Sequence, residues 1–398
     1  MGSDKRMNMN TPQNQMTMTT LAGEVNIYLA GSGTATIDWG DGSIHKIGKL
    51  KHYKERKQND DYKFEHTYSE MRPHTITITG NNITYFGGHH WYELKALDVS
   101  KNTALTRLCC GHHKLKELDV SKNTALEYLD CQGNRLTTLD VSRNTALEEL
   151  HCGYNPLTTL DVRRNTALKG LYCEKNQLTE LNVRKNTALK VLHCQYNSLT
   201  ELDVSRNVAL GWLCCGFNRL TALDVSKNKM LWWLICSDNY ITELDVSKNE
   251  ILKDFSVAAN QLTKLDVSQN KALKELNCCD NLLTELDVSQ NTKLVFLFCD
   301  GNFLTELDVS NNTNLIELFC AVNQLTTLDV SKNAKLDRMS CHNNLFSAAA
   351  LNDLLTTMPA VSKDCEAFIY KNPGTDDCEA SIAENKGWKI IKEWKDEE

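Results

Sequence analysis

The stretch LDVSRNTALEELHCGYNPLTT, Leu139 to Thr159, decides the fold, because it is one copy of a unit that recurs every 21 residues. Leu-Asp-Val-Ser, or a near match, starts at Leu97, Leu118, Leu139, Leu160, Leu181, Leu202, Leu223, Leu244, Leu265, Leu286, Leu307 and Leu328. Twelve units therefore run over 97–348 without an insertion or a deletion. Counted from its first Leu, the unit has Leu at position 1, Asp at 2, Val at 3, Ser at 4, Asn at 6, Leu at 9 and 12, Cys at 14, Asn at 17, Leu at 19 and Thr at 20. Apolar 12 and 14 around a variable 13 predict a short strand with 12 and 14 inward and 13 outward. One such strand per coil stacks into a parallel ladder with neighbours about 4.8 Å apart. Asn at 17 turns inward, where its amide bonds backbone groups of adjacent coils, so Asn176, Asn197 and Asn218 form an internal polar ladder. The other half alternates as well, with positions 1 and 3 inward and 2 outward. It predicts an extended or short-strand convex side, and with it a solenoid that curves only weakly.

Positions 9 to 19 read L-x-x-L-x-C-x-x-N-x-L and resemble the leucine-rich repeat. The arrangement is similar to bacterial leucine-rich-repeat proteins of internalin or adhesion type from about residue 20 onward. That resemblance implies a surface or adhesion-type interaction protein. Length alone, 398 residues at roughly 150 per domain, allows two or three globular units. The repeat replaces them with a mostly β, α+β architecture: a flexible start over 1–19, a β cap with a degenerate first coil over 20–96, the solenoid over 97–348, and an α/β cap over 349–398.

Eleven of the 16 cysteines occupy position 14: Cys110, Cys131, Cys152, Cys173, Cys194, Cys215, Cys236, Cys278, Cys299, Cys320 and Cys341. Val257 fills the same slot in the eighth unit, so the slot takes a small apolar side chain. Ligands in a straight line, one per coil, cannot close a tetrahedron around zinc. Buried, reduced thiols are expected, and no metal or cofactor. Cys365 and Cys378 lie outside the ladder, where a disulfide stays open.

A solenoid exposes apolar coil faces at both ends and needs covers. At the C-terminus, Ser347 caps a helix from Ala348 to about Thr357. Beyond it come an extended run Ala367 to Tyr370, a turn at Asn372-Pro373-Gly374, a second helix between Asp376 and Lys386, and a last strand at Trp388 to Ile391. At the N-terminus, Glu24 to Leu29, Ala35 to Trp39 and Thr75 to Thr79 alternate as strands. Asp38-Trp39-Gly40-Asp41-Gly42-Ser43 is a tight turn, and the strip Tyr53 to Asp61 is a charged loop. With His66-Thr67-Tyr68 this segment resembles the PKD-type β-sandwich. Ile76 to Ile78 falls one period before Leu97 to Val99, and Asn81 matches position 6, which places a degenerate coil there. Asp38 and Asp41 either bond their own backbone or hold calcium.

Net charge is −7, against a nucleic-acid partner held by a basic surface. The longest apolar run, Met230 to Cys236, is far too short for a membrane span. Without a signal segment the chain reads as cytoplasmic at face value. The resemblance implies the cell surface or secretion if a leader was removed. No phosphate loop or nucleophile motif is present, which leaves Cys109 or Cys214 as the only candidates for an enzymatic thiol. Position 2 is Asp in eleven units and position 5 Lys or Arg in nine, a carboxylate column offset by nearby cations and hydroxyls.

Positions 11 and 13 differ from coil to coil. Large outward side chains there are unnecessary for folding, so they mark a binding surface. Trp212 and Trp233 are expected side by side with Tyr172, His193, Ile235, Tyr196 and Phe217 around them, while Phe296, Phe298 and Phe319 make a second patch. A non-enzymatic scaffold for a protein partner is the first reading. Glycan binding on the Trp212 and Trp233 platform is the second.

Overall fold

The computed structural model describes residues 14–53, 62–88, 94–361 and 365–393. They divide into two units, Met1–Ala188 and Leu189–Glu398. The expected flexible start over 1–13, and the charged strip from residue 54 to 61, lie outside the described residues.

The first unit opens with β1 (Gln15–Thr20), β2 (Glu24–Gly31), β3 (Ala35–Asp38), β4 (Ile44–Ile47), β5 (Lys63–Thr67), β6 (His74–Gly80), β7 (Ile83–Gly88) and β8 (Leu94–Asp98). One antiparallel sheet has the order β4-β3-β6-β1-β8. In a second sheet β2 pairs antiparallel with β5 and β7. Residues 15–19, assigned above to a flexible start, are corrected: they belong to β1, where Met16 and Met18 are buried and the threonines alternate outward. The Met-Thr-Met-Thr alternation supplies one apolar face, which the sheet then covers.

The degenerate coil is built by β7, which pairs in parallel with β9 (Arg107–Cys109) and sets Phe86 opposite Leu108. Asn81 is exposed, and its N–H bonds to the Thr34 carbonyl at 3.2 Å, so it is no counterpart of position 6.

From β9 onward each repeat contributes a three-residue strand at positions 11–13, the twelfth being β20 (Arg338–Ser340). The first unit holds β9 to β12 (Gly170–Tyr172). The second holds β13 (Val191–His193) to β20 and continues in parallel through β21 (Cys365–Phe368) and β22 (Trp388–Ile391). The inward face is closely packed: Val225, Leu231, Leu234, Cys236 and Ile241 are all fully buried. Each buried Leu removes enough apolar area for roughly 2 kcal/mol, and no single coil closes this core alone.

In the first coil Leu97 and Asp98 end β8, which pairs with β1; beyond it, among the described residues, the convex side contains no strand, unlike the expectation of a possible short one. Two successive turns replace it. In the first coil the Asn102 N–H bonds the Val99 carbonyl at 2.9 Å, and the Leu105 N–H bonds the Asn102 carbonyl at 3.1 Å. The position-6 side chain locks these turns together across coils. Asn228 Nδ2 donates to the Val204 and Asn207 carbonyls of the preceding coil at 3.0 and 2.9 Å. Backbone donors that a strand would use sideways are spent within the turns, and Asn supplies the sideways bond instead.

Position 16 has a positive φ in all twelve coils. Glycine stands there only at Gly133 and Gly301; elsewhere it is occupied by residues such as Phe217 (φ 53°) and Val322 (φ 51°). A β-branched side chain in the left-handed region costs of order 1 kcal/mol or more. Val322→Gly is therefore expected to raise stability by about 1 kcal/mol in urea unfolding, since Val322 is exposed and gives up little packing. A fall in the midpoint would contradict strain at this position.

At the C-terminus α1 (Ala348–Thr357) is capped by Ser347 Oγ, which accepts from the Ala350 N–H at 3.2 Å, and buries Leu351, Leu354 and Leu355. The second helix, α2 (Ser381–Glu384), is one turn only. Asn372 and Thr375 fold the preceding segment into turns by bonding the Ile369 carbonyl.

Candidate interaction surface

Outward side chains at positions 11 and 13 form two parallel rows, because adjacent strands are in register. In the second unit the position-11 row pairs Val191 with Trp212, Trp212 with Trp233, Trp233 with Asp254, Asp254 with Glu275, Glu275 with Phe296, Phe296 with Glu317 and Glu317 with Arg338.

Trp212 and Trp233 lie with ring centroids 5.1 Å apart, and His193 meets Trp212 edge-on at 5.0 Å. Ile235 is the strand neighbour of Cys214 on the adjoining row. A third indole completes the cluster: Trp232 contacts Trp212 at 5.6 Å and Trp233 at 5.8 Å, both edge-on. Trp232 stands at position 10, outside the varied positions considered above. Its signal was Gly211 at the same position of the preceding coil, where a Cβ would come within 3.1 Å of the Trp232 indole nitrogen.

Phe296, Phe298 and Phe319 form a separate cluster, with Phe298 packed edge-on against Phe319 at 5.2 Å and parallel to Phe296 at 6.4 Å. Tyr196 and Phe217, both at position 16, stack on each other at 4.2 Å and are 43% and 44% exposed. Tyr172 belongs to the first unit and stacks on His151 at 4.2 Å. That unit has its own outward run: Arg107 lies over the Tyr128 ring at 3.6 Å, and Tyr128 meets His151 at 5.2 Å. Tyr53 and Tyr85 from the cap join it, 4.4 Å apart, a contribution no repeat position announces.

Between the two clusters of the second unit stand Asp254 and Glu275. Burial raises both carboxyls above the usual range; Lys274 and Lys253 oppose this at Asp254, whereas Asp254 and Glu317 add to it at Glu275. Glu317 is paired with Arg338 at 3.5 Å.

The position-14 thiols are buried, and desolvation pushes Cys236 and Cys278 up to about 12. Cys109 and Cys214 point to the outward face but are covered. Cys214 accepts from the Trp212 indole at 3.1 Å, and Cys109 sits among the cap tyrosines with its thiol pushed up to about 12, chiefly by burial. Burial thus disfavours the Cys109 thiolate. Cys365 and Cys378 are not joined to each other in a disulfide.

At the N-terminal turn Asp38 accepts from the Gly40 N–H and Asp41 from the Ser43 N–H, each at 2.9 Å, while the second Asp41 oxygen meets His66 at 2.7 Å. One oxygen of each Asp thus bonds the turn backbone, and the second Asp41 oxygen ties the turn to β5.

Along the convex side the position-2 Asp accepts from the backbone N–H two residues on, as Asp245 does from Ser247 at 2.8 Å and Asp161 from Arg163 at 3.0 Å. Those bonds hold Asp98, Asp119, Asp140, Asp224, Asp245, Asp266, Asp287 and Asp308 below the usual range, and Arg163 brings Asp161 to about 2. A carboxyl depressed on folding stabilises above its unfolded value near 4 and loses that contribution as pH falls through the folded value. Carboxyls raised by burial take up protons at higher pH than these. Thermal midpoints are thus expected to drop steadily from pH 4 to pH 2, and a flat profile there would contradict the column's role.

The ladder and its cysteines have a solved counterpart. The functional domain of InlJ from Listeria monocytogenes, described as including a cysteine ladder, is 35% identical over 75% of this chain and 70% of its own, with a TM-score of 0.61. The chain belongs to the bacterial leucine-rich-repeat proteins. A leucine-rich-repeat protein of Leptospira interrogans is 26% identical over 67% of this chain and 74% of that one, with a TM-score of 0.62. The internalin InlF of Listeria monocytogenes shares the fold at 18% identity, over 76% and 91% of the two chains, with a TM-score of 0.67. No protein-family model and no curated protein matches the chain. Among the described residues of this leucine-rich-repeat protein, no helix is long and apolar enough to cross a membrane. Such a scaffold is a protein-interaction framework.

Proposed function

We propose that the outward strand face of the second unit binds a protein partner, with Trp212, Trp232 and Trp233 as anchor and Phe296, Phe298 and Phe319 as a second contact. The observation that carries this is the three-indole cluster on a strand face whose fold already closes on the opposite, inward side. Tryptophan and phenylalanine on a rigid, pre-organised sheet are the side chains that concentrate binding energy at interfaces. Ile235, His193, Tyr196 and Phe217 flank the anchor within the same unit, and Tyr172 belongs to the separate outward run of the first. The role is non-enzymatic: the outward thiols are covered, and the outward histidines pack against rings.

An adhesion-type role at a bacterial surface is the biological setting the relatives favour. Glycan binding is the second reading, favoured by the partly exposed indoles of Trp212 and Trp233 beside the carboxylates Asp254 and Glu275. Stacking on sugar rings with carboxylate acceptors nearby uses the same face.

Trp212→Ala with Trp233→Ala is expected to leave the far-ultraviolet dichroism unchanged and to lower partner capture at least tenfold, as hot-spot losses of 2 kcal/mol or more do. The material captured by the wild type is expected to resist glycosidase treatment. Unchanged capture by the variant would remove the Trp cluster from the function, and glycosidase-sensitive capture would favour the glycan reading.

A further inference from the structure

The first unit carries a concavity of about 440 Å³ whose lining, among the described residues, is Lys95, Lys114, Lys116 and Arg135. All four come from one short segment of three successive coils. Lys114 and Arg135 occupy position 18, and Lys116 occupies position 20; Lys95 stands one period before Lys116. Backbone bonds fix their spacing: the Lys114 N–H bonds the Leu94 carbonyl at 3.1 Å, and the Arg135 N–H bonds the Leu115 carbonyl at 2.8 Å. Leu94, Leu115 and Leu136 between them are buried, so positions 18 and 20 share the outward side. Neighbouring coils lie about 4.8 Å apart, and positions 18 and 20 are about 6.6 Å apart along an extended chain. The four cations thus form a staggered cluster over three coils, with Lys114 and Lys116 on the middle coil and Lys95 and Arg135 on the coils to either side.

The repeat itself shows that folding does not ask for them. Position 20 is Thr in every unit from Thr137 to Thr326, and Lys stands there only at Lys116 and, one period earlier, at Lys95. Position 18 in later coils is Gln177, Ser198, Gln261 or Leu282 as readily as a cation. Like charges one rung apart repel, and a chain of net charge −7 has gathered them at one place.

We propose that this cluster is a binding site for a tetrahedral oxyanion ester, a sulfate or phosphate group on a larger ligand. Arg135 supplies a planar fork and the three ammonium groups supply point charges, the combination that holds such oxygens by charge-assisted hydrogen bonds. The site lies in the first unit and goes beyond the proposed strand-face function.

The test is titration calorimetry of the full chain with a heparin-derived hexasaccharide and, separately, with inositol hexakisphosphate. Both are compared with Lys95→Thr/Lys116→Thr and with Lys248→Ser/Lys271→Ser, which removes the same charge at position-5 and position-7 lysines of the second unit. The site predicts at least a tenfold loss of affinity for the first variant and little change for the second. It also predicts that the first variant melts no lower than the wild type without ligand, because Thr is the repeat's own choice. Preference for the hexasaccharide identifies a sulfated source, and preference for the inositol phosphate a phosphorylated one. No binding of either, or equal losses in both variants, would overturn the site.

Discussion

Asn239→Leu lowers the unfolding free energy by about 3 kcal/mol or more, read from the urea midpoint. Asn239 Nδ2 donates to the carbonyls of Cys215, Cys236 and Ser237 at 3.2, 3.0 and 3.2 Å, and its Oδ1 accepts from the Leu220 N–H at 2.9 Å. Leucine fills a similar volume but supplies none of these. Each buried backbone group left unmade costs about 1–3 kcal/mol, while burying the leucine returns roughly 2 kcal/mol. The loss therefore exceeds the gain. Asn228→Leu at position 6 is expected to cost less, because Asn228 uses only its two N–H donors and its Oδ1 has no hydrogen-bond partner. Equal midpoints for the two variants would refute the idea that position 17, which works through both ends of its amide, is the stronger tie.

Native thiol titration labels Cys365 first and Cys279 more slowly, and the other fourteen only after unfolding. Of the sixteen free thiols only Cys279 and Cys365 are partly exposed. The ladder thiols lie in a closely packed core that disfavours the thiolate, as the rise of Cys236 to about 12 reflects. Reaction needs both access and ionisation, and the fold withholds both. Cys279 is expected to be the slower of the two, since burial and the adjacent Asp300 raise its pKa. Labelling of most thiols in native buffer would mean that the coils open far more readily than their packing implies. Cys236→Val, by contrast, is expected to fold, because Val257 occupies the same slot.

The period of 21 residues was sufficient for the ladder, for the inward face and for the asparagine at position 17, because a regular coil repeats one local pattern and each coil meets only its neighbours. The ladder cysteines were legible for the same reason, since a slot shared by eleven Cys and one Val is a packing position. The Ser347 cap and α1 were legible because a capped helix is written in adjacent residues. The convex turns were not: Leu-Asp-Val alternates like a strand, and only the sideways bonds of Asn228 and its counterparts show that the backbone turns twice instead. Nor was β1, whose Met-Thr alternation becomes a strand only when β6 and β8 pair with it.

For the candidate surface, sequence determined which positions face outward and which of them vary. Tertiary structure decided how they group. It added Trp232 from position 10 through the space left by Gly211, paired Tyr196 with Phe217 on each other, and placed Tyr172 on His151 in the other unit. It also covered Cys109 with tyrosines from a cap that shares no period with the repeat. The division has one physical cause: periodicity fixes the direction of a side chain along its own strand, whereas its neighbours on the next coil and from the cap are fixed by contacts that no single 21-residue unit contains.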